Sequence, residues 1–128
     1  MKEISYETVL QTLESIVETK GRDYIYETHD DTVNDTYEPT CFYVWDNAPD
    51  CGVGRVLHKL GISLGVLSTF EGVGSNAVLA QLEELGLVNF DSKSRTLLRN
   101  FQYRQDHGIP WGGCLSEARD RTEVLHYL

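Results

Sequence analysis

The chain has 128 residues, 41% hydrophobic and 24% charged, so it has the composition of a globular domain and the size for one hydrophobic core over residues 1–128. These proportions exclude a collagen-like, disordered or disulfide-scaffold protein, and no apolar run approaches the ~20 residues that span a bilayer. The net charge of −9 disfavours nonspecific nucleic-acid binding, because phosphate backbones select clustered lysine and arginine.

The N-terminal third of the chain is predicted to hold one helix and two strands. Apolar residues recur at helical spacing after Ser5, which is the expected N-cap, and Gly21 is the expected stop signal. Residues 23–27 and 41–45 are rich in aromatic and β-branched side chains, so we predict that they pair as a ribbon. The connection over residues 28–40 is polar, acidic and long for a hairpin, which is typical of a functional or mobile loop.

The rest of the chain is predicted to be mainly helical. The expected elements are a turn over residues 46–49, a helix from Pro49 or Asp50 to Gly61, a short helix within 62–70, a helix capped by Ser75 and ending at Gly86, an extended piece over 87–90, a turn over 91–94, a helix ending near Gly108, and a final helix from Pro110. We therefore predict a mainly α fold at the margin of α+β, an irregular orthogonal bundle of five or six helices with a small two-stranded β ribbon.

The negative charge is concentrated in the first part of the chain. Residues 1–50 carry twelve carboxylates against three basic side chains, whereas residues 51–128 carry eight of each sign. The first residues lack the apolar segment of a secretory signal, and Cys41, Cys51 and Cys114 are widely spaced. These features predict a cytoplasmic protein with reduced thiols. Because Cys41 and Cys51 flank a turn, a bridge or metal site between them remains an alternative.

The acidic first part also carries the predicted partner-binding surface. No set of residues has catalytic spacing, whereas aromatic side chains of the kind enriched at protein interfaces surround the acidic connection. We therefore predict a noncatalytic protein-binding or regulatory module that needs no cofactor or metal, since the acids lack the alternation and central glycine of a calcium loop. The predicted contact residues, whose aromatic members are expected to be exposed, are Tyr26, His29, Asp30, Asp31, Asp35, Tyr37, Tyr43 and Trp45.

A winged helix-turn-helix regulator is the alternative function. Residues 57–86 have its order of helix, short helix, turn and helix, and the extended piece that follows is the candidate wing. The candidate recognition helix offers Asn76 and Gln81 to base edges, but it carries two acids and no basic side chain. A basic patch follows that could hold a phosphate backbone, hold an acidic partner, or balance the N-terminal acids: Lys93, Arg95, Arg99 and Arg104.

A thiol-dependent enzyme is the third function. Cys51 lies at a predicted helix start, where the helix dipole can lower the pKa of a thiol, and His58 and His107 are the candidate bases. No nucleophile signature surrounds Cys51, so packing is the favoured explanation of the small residues beside it.

Residues 105–113 are dense in glycine, proline, tryptophan and titratable groups. We predict a tight corner between two helices, in which Gly108 takes a positive φ, Pro110 starts the next helix and Trp111 fills the core. A binding site at this corner is the alternative.

Two stretches of the chain resemble small uncharacterised proteins of actinobacteria and their phages. Residues 41–57 have the pattern C-x-Y-V-x-D-x-x-P-x-C-x-x-G-x-x-L, and residues 105–112 have the pattern Q-D-x-G-x-P-W-G. The resemblance implies a bacterial or phage-encoded cytoplasmic protein, and a phage-encoded one would act on a bacterial host protein. It implies no activity and no site residues.

Overall fold

The structure, a computed structural model, describes residues 2–27, 42–71 and 73–127. These residues form six helices and four short strands. In chain order the elements are β1 (Lys2–Ile4), α1 (Tyr6–Lys20), β2 (Val44–Trp45), β3 (Ala48–Pro49), α2 (Gly52–Lys59), α3 (Leu64–Ser68), α4 (Ser75–Glu84), β4 (Val88–Phe90), α5 (Ser92–Asp106) and α6 (Trp111–Tyr127). The predicted mainly α fold with a small β ribbon is confirmed.

Strands β2 and β3 form a hairpin that is closed by a two-residue turn. Val44 pairs with Pro49 and Trp45 with Ala48, and the turn residues Asp46 and Asn47 have φ values of 50° and 61°. Positive φ at both central positions is typical of a type I′ turn, whose twist matches that of the flanking strands. The predicted turn is therefore confirmed at Asp46 and Asn47, but Ala48 and Pro49, which were expected to belong to it, form strand β3.

The ribbon predicted between residues 23–27 and 41–45 is wrong, because residues 44–45 pair with their neighbours 48–49 instead. A two-residue turn closes this ladder at a smaller loss of chain entropy than a connection over residues 28–40 would. Residues 23–27 form no strand. The backbone of this segment forms a hydrogen bond to the start of α6 instead, since the Tyr24 carbonyl accepts the Trp111 N–H at 2.8 Å.

The other sheet joins the start of the chain to the segment between α4 and α5. Strands β1 and β4 are parallel, with Lys2 opposite Val88 and Ile4 opposite Phe90. The candidate wing therefore has β1 as its partner and passes directly into α5, so the antiparallel wing that a winged helix-turn-helix requires is not formed by the described residues.

Asp91 fixes the junction between β4 and α5. Its carboxylate accepts the N–H groups of Ser94 at 2.7 Å and of Tyr6 at 3.1 Å, so one side chain caps α5 and holds the start of α1. Burial alone would raise the pKa of Asp91, but these hydrogen bonds and the charge of Lys93 outweigh it and lower the pKa. The turn predicted over residues 91–94 is wrong because this cap starts the helix at Ser92.

The ends of α1 agree with the predictions from the sequence, whereas the starts of α2 and α4 do not. Ser5 caps α1 by accepting the Thr8 N–H, and Gly21 ends α1 at a φ of 99°, both as predicted. Ser75 is not a cap but the first residue of α4, after Gly74. Helix α2 begins after Cys51 instead of at Pro49 or Asp50, because Pro49 belongs to β3.

One cluster of buried side chains joins all six helices. Helix α5 packs on α6, and both lie against the apolar face of α1. Within the described residues, no helix has the length and apolar character needed to cross a bilayer.

Candidate functional site

The hairpin β2–β3 is held to the body of the protein by partly buried polar contacts. Tyr43 is fully buried, and its hydroxyl donates to the carbonyl of Val73. The N–H of Val44 donates to Oε1 of Glu71 at 3.0 Å. Burial raises the pKa of Glu71, although N–H bonds from Val44 and Tyr43 oppose the rise. The hairpin is thus anchored at Val44, the first residue of β2, and at Tyr43, which precedes it.

Gly54 brings helix α2 against the same strand. A Cβ at this position would lie 2.4 Å from the carbonyl oxygen of Tyr43 and 2.9 Å from its Cα. Both are backbone atoms, so no side-chain rotation could relieve the contact. The absence of a side chain at Gly54 therefore allows α2 to pack directly against the backbone of Tyr43, which leads into the hairpin.

Trp45 is the exposed aromatic residue on this support. Its side chain is 44% exposed, and its ring contacts the ring of Phe42 edge-on with centroids 5.3 Å apart. It directly precedes the turn residues Asp46 and Asn47, which are also exposed. The hairpin therefore presents an indole from a fixed backbone.

The other predicted contact residues divide into two groups. Tyr26 and Tyr43 are buried, with 7% and 0% exposure, so the expectation that they are exposed is wrong. Five of the predicted residues lie outside the described part of the chain: His29, Asp30, Asp31, Asp35 and Tyr37.

Burial of Tyr26 is possible because its hydroxyl has two partners. It donates to Oδ2 of Asp50 at 2.6 Å and accepts the N–H of Phe42 at 3.2 Å. Burial, together with the bond to the Asp50 carboxylate, raises the pKa of Tyr26 far above its usual value. Tyr26 thus connects the end of the first described segment to the hairpin.

The two stretches that carry the resemblance pack against each other. The N–H of Gly52 donates to Oε1 of the buried Gln105 at 2.8 Å, and a Cβ on Gly52 would lie 2.4 Å from the Phe101 ring. The guanidinium of Arg55 lies over the ring of Trp111, 5.8 Å from its centroid. The start of α2 and the corner between α5 and α6 therefore form one structural unit beneath the hairpin.

The corner itself is as predicted. Gly108 has a φ of 78°, α6 begins at Trp111 directly after Pro110, and Trp111 is fully buried. Its ring packs edge-on against Tyr24 at 4.7 Å and Phe101 at 5.7 Å between centroids. The packing of Trp111 and the turn at Gly108 therefore account for the tryptophan and the glycine in residues 105–113.

The four residues of the basic patch all lie on α5, but their charged groups have different surroundings. Arg95 forms an ion pair with Glu83 of α4, and Arg104 Nε lies 2.7 Å from Glu117 of α6. The ammonium of Lys93 lies 4.5 Å from the centre of the Tyr6 ring, and Arg99 is exposed. Two of the four cations thus connect α5 to neighbouring helices.

The expectation of reduced thiols is wrong for Cys51. Cys51 is disulfide-bonded and fully buried, while Cys114 is a buried free thiol; the remaining cysteine, Cys41, lies outside the described residues. Burial raises the pKa of Cys114 to about 12, so its thiol is protonated at neutral pH.

The candidate bases are held by backbone carbonyls. Nδ1 of His58 lies 3.0 Å from the Ile62 oxygen, and Nδ1 of His107 lies 2.6 Å from the Tyr103 oxygen. Among the described residues, no cluster of three or more histidine, cysteine, aspartate or glutamate side chains is arranged to hold a metal ion.

A cationic cleft that was not predicted from the sequence lies between α1 and α2, and Lys20, Arg55 and Lys59 contribute to it. The sequence did carry a signal for this cleft, since Arg55 and Lys59 are four residues apart and therefore share a face of the predicted helix.

Comparison of the chain with protein-family models, curated proteins and solved structures finds no match.

Proposed function

We propose that this protein is a noncatalytic binding module that recognises another protein through the face of the β2–β3 hairpin. The observation that carries the proposal is the 44% exposed side chain of Trp45 on a hairpin fixed by Tyr43, Glu71 and Gly54. Tryptophan is enriched among the residues that dominate interface energies, and a fixed backbone reduces the entropy lost on binding.

The charge of the chain indicates the chemistry of the partner. Residues 1–50 have a net charge of −9, and the connection over residues 28–40 leads directly into the hairpin segment. Opposite charge accelerates association and aligns two surfaces. The proposed partner therefore presents an apolar pocket for the indole, bordered by basic side chains, and a bacterial host protein is the candidate if the chain is phage-encoded.

The experiment compares capture by the wild type with capture by Trp45→Ala. Loss of a central tryptophan contact typically costs at least ~2 kcal/mol, equivalent to roughly 30-fold in affinity. Tyr103→Ala is the matched control, because Tyr103 is 62% exposed on α5. A protein captured by the wild type and by Tyr103→Ala, but lost with Trp45→Ala, supports the proposal. Equal capture by both variants contradicts it.

Charge reversal across Asp30, Asp31 and Asp35 tests the acidic part of the surface. We expect weaker capture, because charges at an interface rim act mainly on association with the partner. The melting temperature of the protein should stay nearly unchanged. Unchanged capture at low salt would remove these acids from the proposed surface.

A DNA-binding regulator is the second proposal, supported by the order of α2, α3 and α4. Fluorescence anisotropy with genomic fragments at two salt concentrations tests it, since release of counterions makes such binding strongly salt-dependent. A thiol enzyme would need Cys51 in its reduced form, and an ordinary alkylation rate at Cys51 after reduction would set that function aside.

The proposed location is the cytoplasm, where most disulfides are reduced. The disulfide at Cys51 would persist there only if burial protects it, and Cys51 is fully buried. Alkylation of free thiols at the moment of lysis, followed by mass spectrometry, tests this point. Protection of Cys51 in protein isolated from the cytoplasm is the expected result.

A further inference from the structure

A cleft of about 220 Å³ lies between α1 and α2, and Pro49 of β3 is part of its lining. Its charged and titratable lining residues are Lys20, Arg55, His58 and Lys59, and Ile16 and Pro49 supply apolar surface. Among the residues that the structure describes, no acidic side chain lines it. In a chain with a net charge of −9, this is a local concentration of positive charge.

Among the described residues, the groups that contact the three cations of the cleft directly are uncharged. Lys20 Nζ lies 4.4 Å from the centre of the Tyr24 ring, and Lys59 Nζ donates to Ser15 Oγ at 3.2 Å. Arg55 Nε donates to the backbone carbonyl of Asp50 at 2.6 Å. Within the described part of the chain, none of the three forms an ion pair with a carboxylate.

Cations that line the same cleft repel one another, and walls of low dielectric strengthen their field inside it. An anion placed between Lys20, Arg55 and Lys59 would remove that repulsion. The apolar contribution of Ile16 and Pro49 would at the same time exclude water from an apolar group attached to the anion.

We propose that the cleft binds a small organic anion, a carboxylate or phosphate group carried on an apolar body. The volume of about 220 Å³ is below the range of 300–1,000 Å³ that is usual for drug-sized ligands, so the body is about the size of one aromatic ring.

A neighbouring cleft restricts the choice of anion. This larger cleft, about 540 Å³, shares Lys20 and Arg55 with the first but is also lined by Asp23, Glu27 and Asp50. Carboxylates beside the site repel an extended polyanion and tolerate a single anionic group. We therefore expect the site to favour a compact anion over the extended backbone of a nucleic acid.

The test is a titration of isotope-labelled full-length protein followed by amide chemical shifts. The probes are benzoate, phenyl phosphate, inorganic phosphate and the uncharged benzyl alcohol. We expect benzoate or phenyl phosphate to bind with a Kd of about 1 mM or below and to shift amides at the end of α1 and in α2. Benzyl alcohol and inorganic phosphate should bind at least tenfold more weakly, since each lacks one of the two required groups.

The double variant Lys20→Gln/Lys59→Gln removes two cations at exposed positions and should weaken binding at least tenfold. Arg99→Gln, which removes an exposed cation of α5, is the control and should leave binding unchanged. The spectrum of each free variant reports whether it is folded. Equal binding of benzyl alcohol and benzoate, equal binding by the double variant, or no binding of either aromatic anion at about 10 mM would overturn the proposal.

Discussion

Replacing Gly54 with alanine tests the close contact between α2 and the hairpin. The new Cβ would lie 2.4 Å from the carbonyl oxygen of Tyr43, about 1 Å less than an ordinary van der Waals contact. Because the Tyr43 backbone is fixed by the Asp50 N–H at 3.0 Å and by its own buried ring, either the hairpin or the helix must move. The substitution therefore destabilises the fold even though alanine is the better helix former.

The magnitude follows from two opposing effects. Alanine gains about 0.5–1 kcal/mol over glycine inside a helix. Overpacking typically costs about 1–3 kcal/mol, and more where backbone must shift. We expect a net loss of about 2 kcal/mol, which for a domain of this size lowers the melting temperature by roughly 6–10 °C.

Denaturant unfolding followed by circular dichroism measures the change in free energy. Gly65→Ala is the matched control, because its Cβ would meet only Ser63 Oγ at 3.9 Å on the short helix α3. We expect this control to be neutral or slightly stabilising. If Gly54→Ala unfolds at the same denaturant concentration as the control, the hairpin is not supported in the way described.

Three further predictions concern buried or capping groups. The pKa of Asp91 is lowered in the folded state, so its carboxylate stabilises the fold above the unfolded pKa of about 4 and loses that effect as pH falls through the folded pKa. Replacing Asp91 with alanine removes the cap of α5 and should cost about 1 kcal/mol of stability. This difference between wild type and Asp91→Ala should shrink in titrations below pH 4. Cys114, with its pKa near 12, should resist alkylation at pH 8 until denaturant unfolds the chain, and rapid modification of the native protein would contradict its burial. Gln105→Leu removes the acceptor of the buried Gly52 N–H and should cost about 1–3 kcal/mol by denaturant unfolding, whereas a loss below 0.5 kcal/mol would show that this bond is dispensable.

Local signals predicted the helices well, since a helix is fixed mostly by residues close in sequence. The cap at Ser5, the stop at Gly21 and the corner at Gly108 and Trp111 were all predictable, because each depends on the properties of a single residue. The cap at Asp91 was missed because a short polar run is equally typical of a turn.

Pairing between distant residues was not predictable from these signals. Nothing in residues 2–4 specifies that they lie beside residues 88–90, and the composition of residues 41–45 does not identify their strand partner. Strand pairing depends on which segments the packed helices bring together, and propensity carries no information about that.

Burial of the tyrosines was misjudged for a related reason. Tyrosine is stable either at a surface or in a core, provided that its hydroxyl finds a partner. Tyr26 finds Asp50, and Tyr43 finds the carbonyl of Val73, both of which are brought near only by the fold. Trp45, two residues after Tyr43, is 44% exposed.

Photo-cross-linking from position 45 tests most directly whether the hairpin is a contact surface. A photoreactive phenylalanine derivative would replace Trp45 in one variant and Tyr103 in another, since both residues are exposed. Irradiation in bacterial cells that express the variants is expected to join the chain to one defined protein from position 45 and to none from position 103. The same set of cross-linked proteins from both positions, or no adduct from position 45, would contradict recognition through the hairpin.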